Sequence, residues 1–177
     1  MTGKPSCLGG DEETATPQTR PQREEERVAE ISPERARRLA ELGMGLLLDV
    51  REDWEREVEG PCPGSQPFPL FAVKTALGHR LTPEEQEALD ATPEEAARRG
   101  AAALAELDRL VQRLEDPLLF CLCNRGERSR SAAALLRAEG WGDAYSVEGG
   151  LRAFRGTTPP SRDCDTRPLA VPSRRAN

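Results

Sequence analysis

Five consecutive apolar residues, Leu118, Leu119, Phe120, Cys121 and Leu122, break off at Cys123 into a polar turn, and a helix-forming run follows within a few residues. An apolar run of that length has the signature of a strand buried on both faces, the kind found in parallel sheets covered by helices. Residues 124–128 form the turn, with Gly126 at its centre. Ser129 or Ser131 is placed to cap a helix that opens with Ala132, Ala133, Ala134, Leu135 and Leu136. Cys123 is thereby expected between a buried strand and a helix N-terminus.

The same alternation occurs earlier in the chain. Ser32-Pro33 reads as a cap with proline at the first helical position, Ala36, Leu39, Ala40 and Leu42 form an apolar side, and Gly43 stops the helix. Leu46 to Val50 then reads as a second buried strand. Helix followed by buried strand, repeated, predicts an α/β fold with a central, mainly parallel sheet of about four or five strands and helices on both faces. Pro67 to Phe71 is expected to be a short strand or extended lead out of the core. Thr82-Pro83-Glu84-Glu85 and Thr92-Pro93-Glu94-Glu95 are two helix starts, the first helix ending near Ala91 and the second near Glu115. Ala144 to Val147 is expected as the last strand. Gly149-Gly150 would let the backbone pass close to the Cys123 turn, ahead of a final helix over 151–155. Trp141 is expected at the core border.

Composition limits how much of the chain packs. Only 37% of the 177 residues are hydrophobic and 4% aromatic, with 15 Gly and 15 Pro. The domain is therefore placed at 29–156, with a helical insertion at about 72–116, between a disordered arm at 1–28 and a disordered tail at 157–177. A net charge of −6 gives no reason to expect nucleic-acid or membrane-surface binding. No apolar run approaches a membrane span and the first residues lack the apolar core of a signal peptide, so a cytoplasmic location is expected. Five irregularly spaced cysteines fit a reducing compartment better than a disulfide framework. No metal or other cofactor is expected: His79 is the single histidine, and Cys121 and Cys123 are read as facing opposite sides of their strand.

Cys123 is the candidate nucleophile. The unpartnered N–H groups at the helix start, with Arg125, Arg128 and Arg130 nearby, favour the thiolate over the thiol and would hold an anion against the sulfur. Cys121, inside the apolar run, reads as inert core.

These residues resemble a known family. Cys123-Asn124-Arg125-Gly126-Glu127-Arg128-Ser129 is similar to the active-site loop of rhodanese-like sulfurtransferases, in which such a loop cradles a persulfide. Leu-Leu-Leu-Asp-Val-Arg-Glu at 46–52, Pro-Gly at 63–64 ahead of Pro-Leu at 69–70, and Val-Glu-Gly-Gly-Leu-Arg-Ala-Phe at 147–154 agree in order and spacing. The resemblance runs from about Ile31 to Arg155. It implies a rhodanese-like fold and transfer of a sulfane sulfur from thiosulfate or a persulfide to a thiol or cyanide through a Cys123 persulfide. It implies Cys123 as the catalytic residue, with Asn124, Arg125, Gly126, Glu127, Arg128 and Ser129 as the persulfide cradle and Arg125 recognising an anionic donor. It further implies that Asp49 and Arg51 support the site from behind, with Glu55 helping to hold it. The implied partners are a small sulfur-containing anion or persulfide donor and a thiol or protein acceptor. Phosphatases of related architecture place five residues between Cys and Arg; here Arg128 comes one place earlier, which favours a single sulfur over a phosphoryl group.

The chain also departs from the family. Where relatives show Gly-His-Ile-Pro-Gly-Ala, this sequence has Gly60-Pro61-Cys62-Pro63-Gly64-Ser65, so Cys62 is read either as a small residue in a proline turn or as a sulfur-accepting thiol. Cys164 in the tail is open to the same two readings, relay or incidental thiol. The Pro69-Leu70-Phe71 lead, the insertion and the Gly-Gly-Leu-Arg-Ala-Phe-Arg ending are similar to the rhodanese domain of tRNA 2-selenouridine synthases. That family has a longer loop and a P-loop domain; the loop here is one residue shorter, and no P-loop motif lies within these 177 residues. Arg152 and Arg155 read as solvated helix-face residues or as a border of the site. The competing function is a persulfide-sensing or protein-interaction module with little turnover, for which the arm, the insertion and the missing histidine leave room.

Overall fold

The computed structural model describes residues 28–157. The expected arm and tail, with Cys164, otherwise lie outside the described residues. Five strands form one wholly parallel sheet in the order β1-β5-β4-β2-β3, where β1 is Glu30–Ile31, β2 Gly45–Asp49, β3 Ser65–Pro67, β4 Leu118–Leu122 and β5 Ala144–Val147. The seven helices are α1 (Pro33–Glu41), α2 (Asp53–Glu59), α3 (Leu70–Ala76), α4 (Pro83–Leu89), α5 (Pro93–Leu114), α6 (Glu127–Ala138) and α7 (Gly150–Gly156). The expected α/β sheet is present, with β2 and β4 as its central pair: Leu47 lies opposite Phe120 and Leu48 opposite Cys121.

Each face of the sheet buries its own apolar layer. Leu48, Leu119, Cys121 and Cys123 pack with Leu70, Val73, Leu107, Ala133 and Leu136 under α3, α5 and α6. Leu47, Phe120, Leu122 and Val147 pack with Ile31, Ala36, Cys62, Leu151 and Phe154 under α1 and α7. Burial on both faces is what the continuous apolar runs require.

Several boundaries differ from the sequence reading. An edge strand absent from the sequence reading precedes α1, with Glu30 and Ile31 paired to Ser146 and Val147. Leu42 is 62% exposed and follows the end of α1, so it is not part of that helix's buried side. The extended lead stops at Pro67, and α3 begins at Leu70, burying Leu70, Phe71, Ala72 and Val73 completely against α5. Gly100 permits that contact, since a Cβ there would lie 2.1 Å from the carbonyl oxygen of Ala72. Cys121 and Cys123 share one layer, as residues two apart on a strand must. Among the described residues no group of three or more Cys, His, Asp or Glu could hold a metal ion, and no helix is long and apolar enough to cross a membrane.

Candidate active site

The strand β4 delivers Cys123 to the carboxyl edge of the sheet, where loops of open α/β folds gather. Cys123 is 2% exposed, and the Gly126 N–H donates to its Sγ at 3.1 Å. Gly126 has φ +101°, a conformation that folds the loop back over the sulfur and serves as the N-cap of α6. The helix therefore starts at Glu127, earlier than expected, and neither Ser129 nor Ser131 caps it. Ser129 lies in the first turn instead, with its hydroxyl 3.7 Å from Sγ. That hydroxyl donates to the Gly126 carbonyl at 2.9 Å and lies 2.8 Å from Ser146 Oγ on β5. Ser146 is fully buried and went unnoticed in the sequence, although a hydroxyl inside a four-residue buried strand is a signal of a polar partner.

Cys123, Asn124, Arg125, Glu127 and Arg128 line a pocket of about 280 Å³. Arg125 is exposed on its rim. Arg128 turns its guanidinium to Glu55, with Nη1 and Nη2 donating to the two carboxylate oxygens at 2.5 and 2.6 Å. Burial pushes the Glu55 carboxyl up, but the Arg128 bonds and the Glu52 N–H outweigh it and hold the group below the usual carboxylate range. Arg128 therefore braces the loop against α2, a part different from direct contact with the sulfur.

Asp49 and Arg51 form a buried pair at the end of β2. Arg51 Nε donates to Asp49 Oδ1 at 2.9 Å and Nη2 to Oδ2 at 2.7 Å, and Arg51 is fully buried. Its pKa is raised, chiefly by the Asp49 bond. The guanidinium also reaches the Gly60 carbonyl at 2.9 Å and Glu59 Oε2 at 3.1 Å. Glu59 in turn accepts from Asn124 Nδ2 at 3.3 Å, so the pair meets the loop through a residue the sequence reading did not single out. In a helix with acidic residues at 53, 55, 57 and 59, nothing local distinguishes Glu59.

The remaining candidates separate clearly. Cys62 is 2% exposed and packs in the α1/α7 layer, on the other side of the sheet from Cys123, and burial pushes its thiol pKa up. The proline-turn reading accounts for it. Cys121 is fully buried, which raises its thiol pKa strongly. Gly149-Gly150 does approach the loop: Leu151 N–H donates to the Cys123 carbonyl at 2.7 Å, and a Cβ on Gly150 would lie 2.2 Å from that oxygen. Arg155 donates to the Glu59 and Gly60 carbonyls at 3.1 and 3.2 Å, fastening α7 to the end of α2. The loop is thus held from three elements at once.

The family model of the rhodanese-like domain matches residues 32–157. Thiosulfate sulfurtransferase GlpE of Pseudomonas savastanoi is 46% identical over 46 residues, 26% of this chain and 42% of that protein, and GlpE of Pseudomonas fluorescens is 43% identical over 44 residues, 25% and 40%. The chain spans about two fifths of the length of these curated relatives. Among solved structures, a rhodanese homologue from Thermus thermophilus is 26% identical, covering 70% of this chain and 98% of that one, with a TM-score of 0.40. The human single-domain sulfurtransferase TSTD1 is 22% identical over 72% and 96%, with a TM-score of 0.42. A Rhodopseudomonas palustris protein of unknown function, described as a possible tyrosine phosphatase, is 22% identical over 72% and 80%, with a TM-score of 0.46.

Proposed function

The chain belongs to the rhodanese-like domain family, and from that premise we propose that it is a sulfurtransferase working through a persulfide on Cys123. The observation that carries the proposal is the Cys123 sulfur at the end of β4, receiving the Gly126 N–H at the start of α6 and opening on a pocket with Arg125 at its rim. Backbone N–H groups at a helix start attract negative charge, and the thiolate is the nucleophilic form of a cysteine. The Cys123 thiolate attacks the outer sulfur of the donor. The new S–S bond forms as the donor's own S–S bond breaks, and the electron pair leaves with sulfite from thiosulfate or with a thiolate from a persulfide.

The persulfide then needs a place to rest. Its terminal sulfur projects into the pocket lined by Asn124, Arg125, Glu127 and Arg128, while Ser129 and Gly126 hold the inner sulfur. An acceptor thiolate or cyanide attacks the terminal sulfur, and the electron pair of the broken bond restores the Cys123 thiolate. Four residues between Cys123 and Arg128 leave a small ring, which suits one sulfur better than a phosphoryl group. The test is steady-state turnover with thiosulfate and cyanide and with a persulfide and a thiol. Wild type is expected to form thiocyanate or the new persulfide, and Cys123→Ser to form neither. Turnover that survives in Cys123→Ser would overturn the assignment.

A further inference from the structure

Ser146 puts a hydroxyl into an otherwise apolar layer. It lies on β5 opposite Cys121, fully buried, and shares its side of the strand with Ala144, which packs with Cys121, Cys123 and Ala133. A hydroxyl buried there has to find an acceptor for its own proton. Among the described residues the Ser146 side chain has one partner, Ser129 Oγ at 2.8 Å, and either oxygen is close enough to donate. If Ser129 donated, the Ser146 proton would be buried without an acceptor, and the Gly126 carbonyl would lose the Ser129 proton. If Ser146 donates, every group is met. Ser129 then accepts from Ser146, keeps its own proton for the Gly126 carbonyl at 2.9 Å, and has a second lone pair for the Cys123 S–H at 3.7 Å.

Resting on the sulfur-transfer reading, we infer that Ser146 is a positioning residue that aims the Ser129 proton at the Cys123 sulfur whenever that sulfur is negative. Loss of the thiol proton turns Sγ from a donor into an acceptor. Ser129 swings its O–H from the Gly126 carbonyl to Sγ, while the bond from Ser146 holds the Ser129 oxygen in place. The Gly126 carbonyl keeps the Arg130 N–H at 3.4 Å, so the swing strands no acceptor. Charge returns to Sγ in the discharge step: the acceptor thiolate bonds the terminal sulfur, the persulfide S–S bond breaks, and its electron pair goes to Sγ. No proton transfer, oxidant or reductant is required. A donor aimed at Sγ speeds this step by making Cys123 a better leaving group. In loading, the same bond makes the thiolate more abundant and each thiolate less nucleophilic, two effects that oppose one another.

The test follows the half-reactions separately by rapid mixing and intact mass: loading of Cys123 by thiosulfate, and discharge of the preloaded persulfide to free cysteine. Ser146→Thr keeps the hydroxyl, and Ser146→Val has the same bulk without it. Ser146→Val is expected to slow discharge by about tenfold while loading stays within about threefold of wild type, and Ser146→Thr to discharge near the wild-type rate. Ser146→Ala adds no bulk to the buried strand and is expected to show the same split against wild type, so the comparison survives if the branched variants do not fold. Equal slowing of both steps, unchanged discharge in the Val or Ala variant, or a folded Thr variant as slow as Val would overturn the role of Ser146 and leave sulfur transfer standing. Wild type that loads from neither thiosulfate nor cysteine persulfide would overturn sulfur transfer itself and this role with it.

Discussion

Glu52 is the buried carboxylate whose ionisation this fold resists most clearly. It is 1% exposed, its Oε1 accepts the Phe71 N–H at 2.8 Å, and its Oε2 has no partner among the described residues. Burial raises its pKa from 4.5 to about 7. A carboxyl that holds its proton longer when folded contributes stability below pH 4.5, loses it as pH rises toward 7, and loses no more above that. The withdrawal is roughly 3 kcal/mol. Glu55, with a lowered pKa, works in the opposite sense: its contribution is present above the unfolded value and lost as pH falls below it. Thermal unfolding from pH 4.5 to 7.5 is expected to show a declining component that disappears in Glu52→Gln; an identical slope in that variant would contradict the assignment. Asp49 and Arg51 give a second prediction. Removing one member of a buried pair strands the other, so Arg51→Met is expected to cost about 3–5 kcal/mol in denaturant unfolding.

At the scale of elements, the loop keeps its shape because α2, α6 and α7 converge on it. The α7 contact is the least forgiving. Gly150 has φ +59° and sits against backbone, so Gly150→Ala is expected to displace the Cys123 loop and reduce sulfur transfer at least tenfold, while far-ultraviolet circular dichroism stays near wild type. Unchanged activity would mean that the α7 start does not set the loop. The β4-turn-α6 unit was legible in sequence because all its signals are contiguous: an apolar run, a turn glycine and a helix-forming stretch. What failed were features decided by tertiary partners. The edge strand β1 is two residues long and is defined by its pairing with β5. Leu70 to Val73 is an apolar run that periodicity alone cannot divide between strand and helix, and the flanking prolines pulled the reading toward extended chain. Ser129 reads as a cap in sequence because the left-handed conformation of Gly126, which starts the helix sooner, has no signature beyond glycine itself. Likewise Cys123 and Arg128 stand out in the loop, whereas Glu59 and Ser146 become visible only when α2 and β5 are placed beside it.

For the whole molecule, the sheet places one reactive-looking cysteine at its carboxyl edge and buries the other two described cysteines in its layers. Cys121→Ala and Cys62→Ala are therefore expected to retain sulfur transfer within about threefold, with any loss appearing in stability as a small cavity. The measurement that bears most directly on the whole account is the intact mass of wild type and Cys123→Ser after incubation with thiosulfate or a persulfide, before and after an acceptor thiol. The account predicts that wild type gains the mass of one sulfur atom, loses it to the acceptor, and that Cys123→Ser gains none. Wild type that takes no sulfur from either donor, or a Cys123→Ser variant that still takes it, would contradict a Cys123 persulfide.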